Sequence, residues 1–167
     1  RHALVLAVHP SSPVKTLGEY VQRAKTTTLN IGTPDPGSPH HLAMELFSRR
    51  AGIKLNHIPY KSTAQALNDV LGGQVDAMFP TLPLALPHIK AGKLRGLVVT
   101  SKAREDLLPE VPTAREAGTP EIEASNWNGL VAPAATPDAA VAKINAELNR
   151  VLNLPEVREH LRAQGLK

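Results

Sequence analysis

The chain has 167 residues, 42% of them hydrophobic and 20% charged, with a formal net charge of +4. That size and balance suit one packed core of an ordinary globular domain. No run of about 18 apolar residues occurs, so no segment reads as a membrane-spanning helix. The absence of cysteine removes disulfides, thiolate metal sites and cysteine nucleophiles together. Lys and Arg are scattered and only 3% of residues are aromatic, which leaves no stacking platform for nucleic acid. A modestly basic body attracts small anions instead. Arg1 stands directly before a strand-like run, with no initiator Met and no basic–apolar leader. This predicts that a segment N-terminal to Arg1 has been removed or lies outside the sequence.

In chain order, residues 3–8 (ALVLAV) read as a buried strand, and prolines at 10 and 13 then break the chain. Thr16 and Glu19 form a capping box that opens a helix to about Ala24. A short strand at 29–31 leads into a Gly- and Pro-rich loop. Ser38 as N-cap and Pro39 at the first position then start a helix that Gly52 stops. A third strand spans 54–58. Thr63 caps the helix AQALNDVL, closed by Gly72 and Gly73, and a fourth strand spans 74–79. Thr81 caps a short helix disturbed near Pro87, because an interior proline loses a backbone hydrogen bond, and a fifth strand spans 94–100. Strict alternation of strand and helix predicts an α/β fold, a largely parallel sheet with helices on both faces.

From 101 to 118 the chain turns polar and proline-containing, with Thr113 and Glu116 as a second capping box over a single helical turn. Residues 124–132 read as a further strand. Thr136 and Pro137 open the longest helix, with Val141, Ile144, Leu148 and Val151 on one stripe, and a last helix covers 155–164.

Catalytic signatures are missing: there is no G-x-S-x-G elbow, no H-E-x-x-H and no Walker loop. His40 and His41 are neighbours about 100° apart on a helix, so they cannot chelate a metal from one face. The positive signal is a set of loops at strand C-termini: residues 32–38, 60–63 and 80–81. In open parallel sheets, ligands bind at that edge, and a helix N-terminus there favours an anion. The same hydroxyls and glycines also serve as plain caps, so both uses stay open. A serine hydrolase built from Ser38, His41 and a distant Asp is the alternative chemistry at this edge.

The runs GTPDPGSPHHLAMELF, HIPYKSTAQALNDVLGGQVDAMFPTLPLALPHIKAGKLRGLVVTS, LPEVPTAREAG and SNWNGLVAPAATP resemble, in order, the substrate-binding proteins of tripartite tricarboxylate transporters, or Bug receptors. The resemblance implies a type II periplasmic-binding-protein lobe: a five-stranded, mostly parallel sheet with one antiparallel strand and helices on both faces. It implies the strand order three, two, four, one, five. Residues 1–125 would be the second ligand-binding lobe, with 1–9 as hinge strand and 101–123 as connection. Residues 126–167 would be a crossover strand and C-terminal helices packing on a first lobe.

The resemblance further implies a periplasmic, non-catalytic receptor without cofactor or metal. It would capture a small organic anion, a carboxylate or an amino acid, for membrane transporter subunits. Ligand-binding positions carried over are Thr33, Gly37, Ser38, His40, His41, Tyr60, Lys61, Thr81, Asn126 and Trp127. Within the loop, Pro34 and Pro36 each delete an amide donor and Asp35 adds a negative charge, worth about 1 kcal/mol against an anion at 4 Å. With no first lobe in the sequence, the stripe on the longest helix predicts a homodimer or an exchanged C-terminal segment.

Overall fold

The computed structural model describes residues 1–166. Thirteen elements follow in order: β1 (His2–Ala3), β2 (Val5–Val8), α1 (Leu17–Thr26), β3 (Leu29–Thr33), α2 (Pro39–Ala51), β4 (Leu55–Pro59), α3 (Thr63–Leu71), β5 (Ala77–Met78), α4 (Leu82–Lys90), β6 (Arg95–Val99), β7 (Ser125–Asn126), α5 (Asp138–Leu152) and α6 (Pro155–Ala163). The main sheet has the order β4-β3-β5-β2-β6. β3 runs parallel to β4 and β5, while β2 is antiparallel to both its neighbours. This is the expected five-stranded order with its one antiparallel strand.

Alternation along the strands divides the core between the two faces. Leu4, Leu6, Val8, Leu29 and Ile31 point to one side, where α1 and α2 bring Leu17, Tyr20, Val21, Met44 and Phe47. The rings of Tyr20, Phe47 and Phe79 form a chain with centroids 6.1 and 5.9 Å apart. On the other side, Ala7 and Met78 meet Ala66, Leu67 and Val70 of α3, and Val5 and Val99 meet Leu82, Ala85 and Leu86 of α4. Helices therefore cover both faces, as the alternating pattern requires. At the sheet end away from the loops that follow β3, β4 and β5, the Arg95 guanidinium donates to the carbonyls of Pro10, Ser12 and Val14. It pins the proline-broken turn that follows β2.

Local signals place the helix starts. Thr16 accepts the Glu19 amide, and the Glu19 carboxylate reaches back to the Lys15 amide. Ser38 accepts the His41 amide, and α2 ends at Gly52, which holds φ 62°. The reciprocal Thr113–Glu116 bonds are both made. The amide of Thr113 holds the Glu116 carboxyl below its ordinary value, with Arg104 adding to the effect.

Several elements differ from expectation. Ser62, not Thr63, caps α3: its extended backbone lets Oγ accept the Gln65 amide, and Thr63 is already helical. Thr81 sits at the N-cap of α4 without a side-chain cap bond, and the helix continues through Pro87. The run at 3–8 divides, because Ala3 pairs with β7 while β2 joins the main sheet. The expected strand at 124–132 shrinks to Ser125–Asn126, since β1 offers only two residues to pair with. Beyond it Leu130 and Val131 are exposed. The α5 and α6 helices contain no buried residue among those described, and the stripe of Val141, Ile144, Leu148 and Val151 is 38–48% exposed.

Candidate functional site

Strand register brings the three predicted loops to one edge. Thr33 at the end of β3 lies beside Pro59 at the end of β4, and Gly32 lies beside Met78 of β5. Past the strands, the Tyr60 amide donates to Thr33 O at 2.9 Å, and Thr81 bridges to Leu4. The β1–β7 ribbon starts from the same edge, so Asn126 is placed there through its pairing with His2. Thr100 fastens this ribbon: its hydroxyl accepts the Leu4 amide at 2.9 Å and donates to Ala124 O at 2.5 Å.

The loop between β3 and α2 is folded on itself. The Ser38 amide donates to Asp35 O at 3.1 Å, and the Gly37 amide donates to His41 Nδ1 at 3.0 Å. Gly37 takes φ 83°, a left-handed conformation that suits glycine. The His40 amide, second in α2, has no acceptor among the described residues. It is the kind of unpaired N-terminal donor that binds anions. Thr33 is buried, with its hydroxyl donating to Pro34 O at 2.8 Å. Of the candidate positions on this loop, then, Thr33, Gly37, Ser38 and His41 already donate to internal acceptors.

The two neighbouring histidines take different surroundings, and neither is fully solvated. His40 is buried and donates from Nδ1 to Phe79 O at 2.6 Å. His41 is half-buried, and its ring stacks on that of His57 with centroids 4.4 Å apart and an interplanar angle of 32°. Its Nε2 lies 3.8 Å from the Glu45 carboxylate. The Ser38 hydroxyl takes the His41 backbone amide while the imidazole takes Gly37, so no Ser38–imidazole hydrogen bond forms. The hydrolase reading gains no geometry from this arrangement.

Tyr60 is part-buried and donates to Asp69 at 2.7 Å. Burial first, and then this bond, push its phenol up to about 12, so it remains a neutral donor. Its ring also packs over Gly32, where an added Cβ would stand 3.1 Å from Tyr60 Cε2. Lys61 is exposed beside it. Trp127 is 68% exposed, and its amide donates to Asn126 Oδ1.

Two imidazoles at this edge have no sequence spacing that assigns them to a site. His57 Nε2 shares a hydrogen bond with Thr33 Oγ1 at 2.6 Å, and burial, with His41 adding to it, holds it below the ordinary histidine value. His2 is buried with Nδ1 unpartnered among the described residues. Burial, the N-terminal ammonium and then His40 lower it. Alternation along β4 was the available signal, since it puts His57 on the α2 side while Ile58 packs toward α3. A separate cavity of about 180 Å³, lined by His9, Tyr20, Arg23 and Asp76 among others, lies at the other end of the sheet.

Comparison with known proteins agrees with this fold. The family model "Tripartite tricarboxylate transporter family receptor" matches residues 1–167. BugT of Bordetella pertussis is 36% identical over 164 residues, covering 97% of this chain and 50% of BugT. A UPF0065 protein from the tcbD-tcbE intergenic region of Pseudomonas sp. strain P51 is 36% identical over 166 residues, covering 98% of this chain and 49% of that protein. The chain thus spans about half the length of the curated relatives it matches. Among solved structures, R. palustris Rpa4515 with adipate superposes with a TM-score of 0.94 at 32% identity, covering 99% of this chain and 56% of that one. MatC from Rhodopseudomonas palustris with bound malate superposes at 0.89 and 32% identity, covering 98% and 56%. With the strand order, the loop edge and the full-length family match in agreement, this chain belongs to the tripartite tricarboxylate transporter receptor family.

Proposed function

We propose that the chain supplies one lobe of an extracytoplasmic receptor that captures a small carboxylate-bearing solute for a tripartite tricarboxylate transporter. The observation that carries this reading is the loop edge itself. There the N-terminus of α2, with the unpaired His40 amide, stands behind a turn whose remaining donors are Gly37, Ser38 and Thr33. Relatives with bound adipate and malate support the ligand class. In this reading residues 1–125 form the lobe and 126–167 the crossover, with α5 and α6 packing on a partner lobe. The receptor works in the periplasm, and membrane subunits receive the solute.

Thr33, Gly37, Ser38, His40 and His41 line the carboxylate side of the cleft, Tyr60, Lys61 and Thr81 its flanks, and Asn126 and Trp127 its hinge side. Capture requires the loop amides to exchange their internal acceptors for ligand oxygens. Hydroxyls, amides and imidazoles that can exchange partners in this way suit reversible binding. Because closure of two lobes supplies much of the contact, the isolated chain binds weakly. Calorimetry with malate, adipate, amino acids and aromatic acids tests the reading, on this chain and on a two-lobed polypeptide of the relatives' length containing it. Failure of every carboxylate in the panel to bind overturns it.

A further inference from the structure

Building on that reading of the loop edge, we propose that His57 is a ligand-contacting residue and that it and His41 bind the solute carboxylate together with a proton. The hydrogen bonds constrain where the protons sit when both rings are neutral. Thr33 Oγ1 lies 2.8 Å from Pro34 O and 2.6 Å from His57 Nε2; with the hydroxyl proton on Pro34 O, Nε2 of His57 is the donor to Thr33. His41 Nδ1 accepts from Gly37, so a neutral His41 carries its proton on Nε2, on the side of Glu45. Neutral His41 is therefore a latch that occupies the Gly37 amide.

Protonation reverses this. An imidazolium has no lone pair for an amide, so Nδ1 of a protonated His41 stops accepting and releases Gly37 N–H. The freed amide, the new Nδ1–H and the neighbouring His40 amide then converge on the start of α2 as donors for one carboxylate. With ring centroids 4.4 Å apart, two imidazolium ions repel each other unless an anion lies against them. Burial lowers the proton affinity of His57, and the proximity of His41 adds to it. A bound carboxylate relieves the repulsion, so ligand and proton each raise the affinity for the other, as linkage demands.

The other charged groups here are Glu45, which faces the pair from the next turn of α2, and exposed Asp35 in the loop. His40 turns its Nδ1 to Phe79 O. Glu45 favours a proton on His57, but burial and His41 outweigh it.

The test uses the 167-residue chain and malate as probe, followed by amide and imidazole chemical shifts in NMR. Without ligand, the Gly37 amide signal is expected to move with the same midpoint as the His41 ring. With malate, binding is expected to be about tenfold tighter at pH 5.5 than at pH 8, with proton uptake on binding, a size typical of coupling between linked sites. His41→Asn keeps an acceptor for Gly37, and His57→Gln keeps a donor for Thr33; each is expected to flatten the pH profile. A Gly37 signal that ignores the His41 titration overturns the latch, and equal malate affinity at both pH values overturns the co-binding while leaving a carboxylate site standing. No malate-induced shift at either pH, with Gly37 still tracking His41, overturns the ligand contact and counts against malate as the solute.

Discussion

Replacing Thr100 by Val isolates one hydroxyl that ties together parts of the chain 96 residues apart. Thr100 is 1% exposed, and Val fills the same volume, so no cavity forms. The Leu4 amide loses its acceptor at 2.9 Å, and Ala124 O loses a donor at 2.5 Å. A buried donor left without a partner costs about 1–3 kcal/mol. Ala124 O is only part-buried and recovers some of its loss from water. We expect a total of about 2–3 kcal/mol, a large share of a net stability of about 5–15 kcal/mol. For a chain of this size that corresponds to a midpoint lowered by about 4–12 °C. Urea unfolding followed by far-UV circular dichroism measures it, with the slope m unchanged if the native compactness is kept. Thr100→Ser, which retains the hydroxyl, should recover most of the loss. A Val variant within about 0.5 kcal/mol of the parent would refute the claim that this hydroxyl fastens the ribbon to the sheet.

Ser38→Ala removes the acceptor for the His41 amide and should cost about 1 kcal/mol, read from the urea midpoint; no change would mean that water caps α2 equally well. His57 is held below its ordinary value, so the unfolded chain binds this proton first on acidification. Its contribution is fully present above the unfolded value and is lost as pH falls through the folded one. A urea series from pH 7.5 to 5 should show stability falling with acid, and His57→Gln should reduce the slope. The exposed stripe of α5 should drive association: light scattering at rising concentration is expected to show a dimer, which Ile144→Glu with Leu148→Glu abolishes. A monomeric mass throughout would remove the stripe as an interface.

Helix starts were legible because their chemistry is local. Ser38 followed by Pro39, and Thr16 followed by Glu19, specify caps within four residues. The Thr63 expectation missed by one residue, since Ser and Thr cap alike and only the backbone angles at Ser62 choose between them. The strand expected at 124–132 failed for a different reason: a strand exists only where a neighbour pairs with it, and His2 and Ala3 pair with two residues. The candidate site was half legible. Its loops followed from the alternation, but His57 has no spacing that assembles a site by itself, and its ring meets His41 only once α2 is laid against β4.

By itself the sequence determined the alternating α/β pattern, the caps and the loops at strand ends, all of which rest on periodicity and on contacts within a turn or two of chain. It also carried the family motifs, from which the strand order was inferred. Only the tertiary structure decided which polar groups meet: Thr33 with His57, His40 with Phe79 O, and Leu4 with Thr100. These pairs are separated by 24, 39 and 96 residues. They depend on strand register and helix placement, which many residues set jointly and no short motif records.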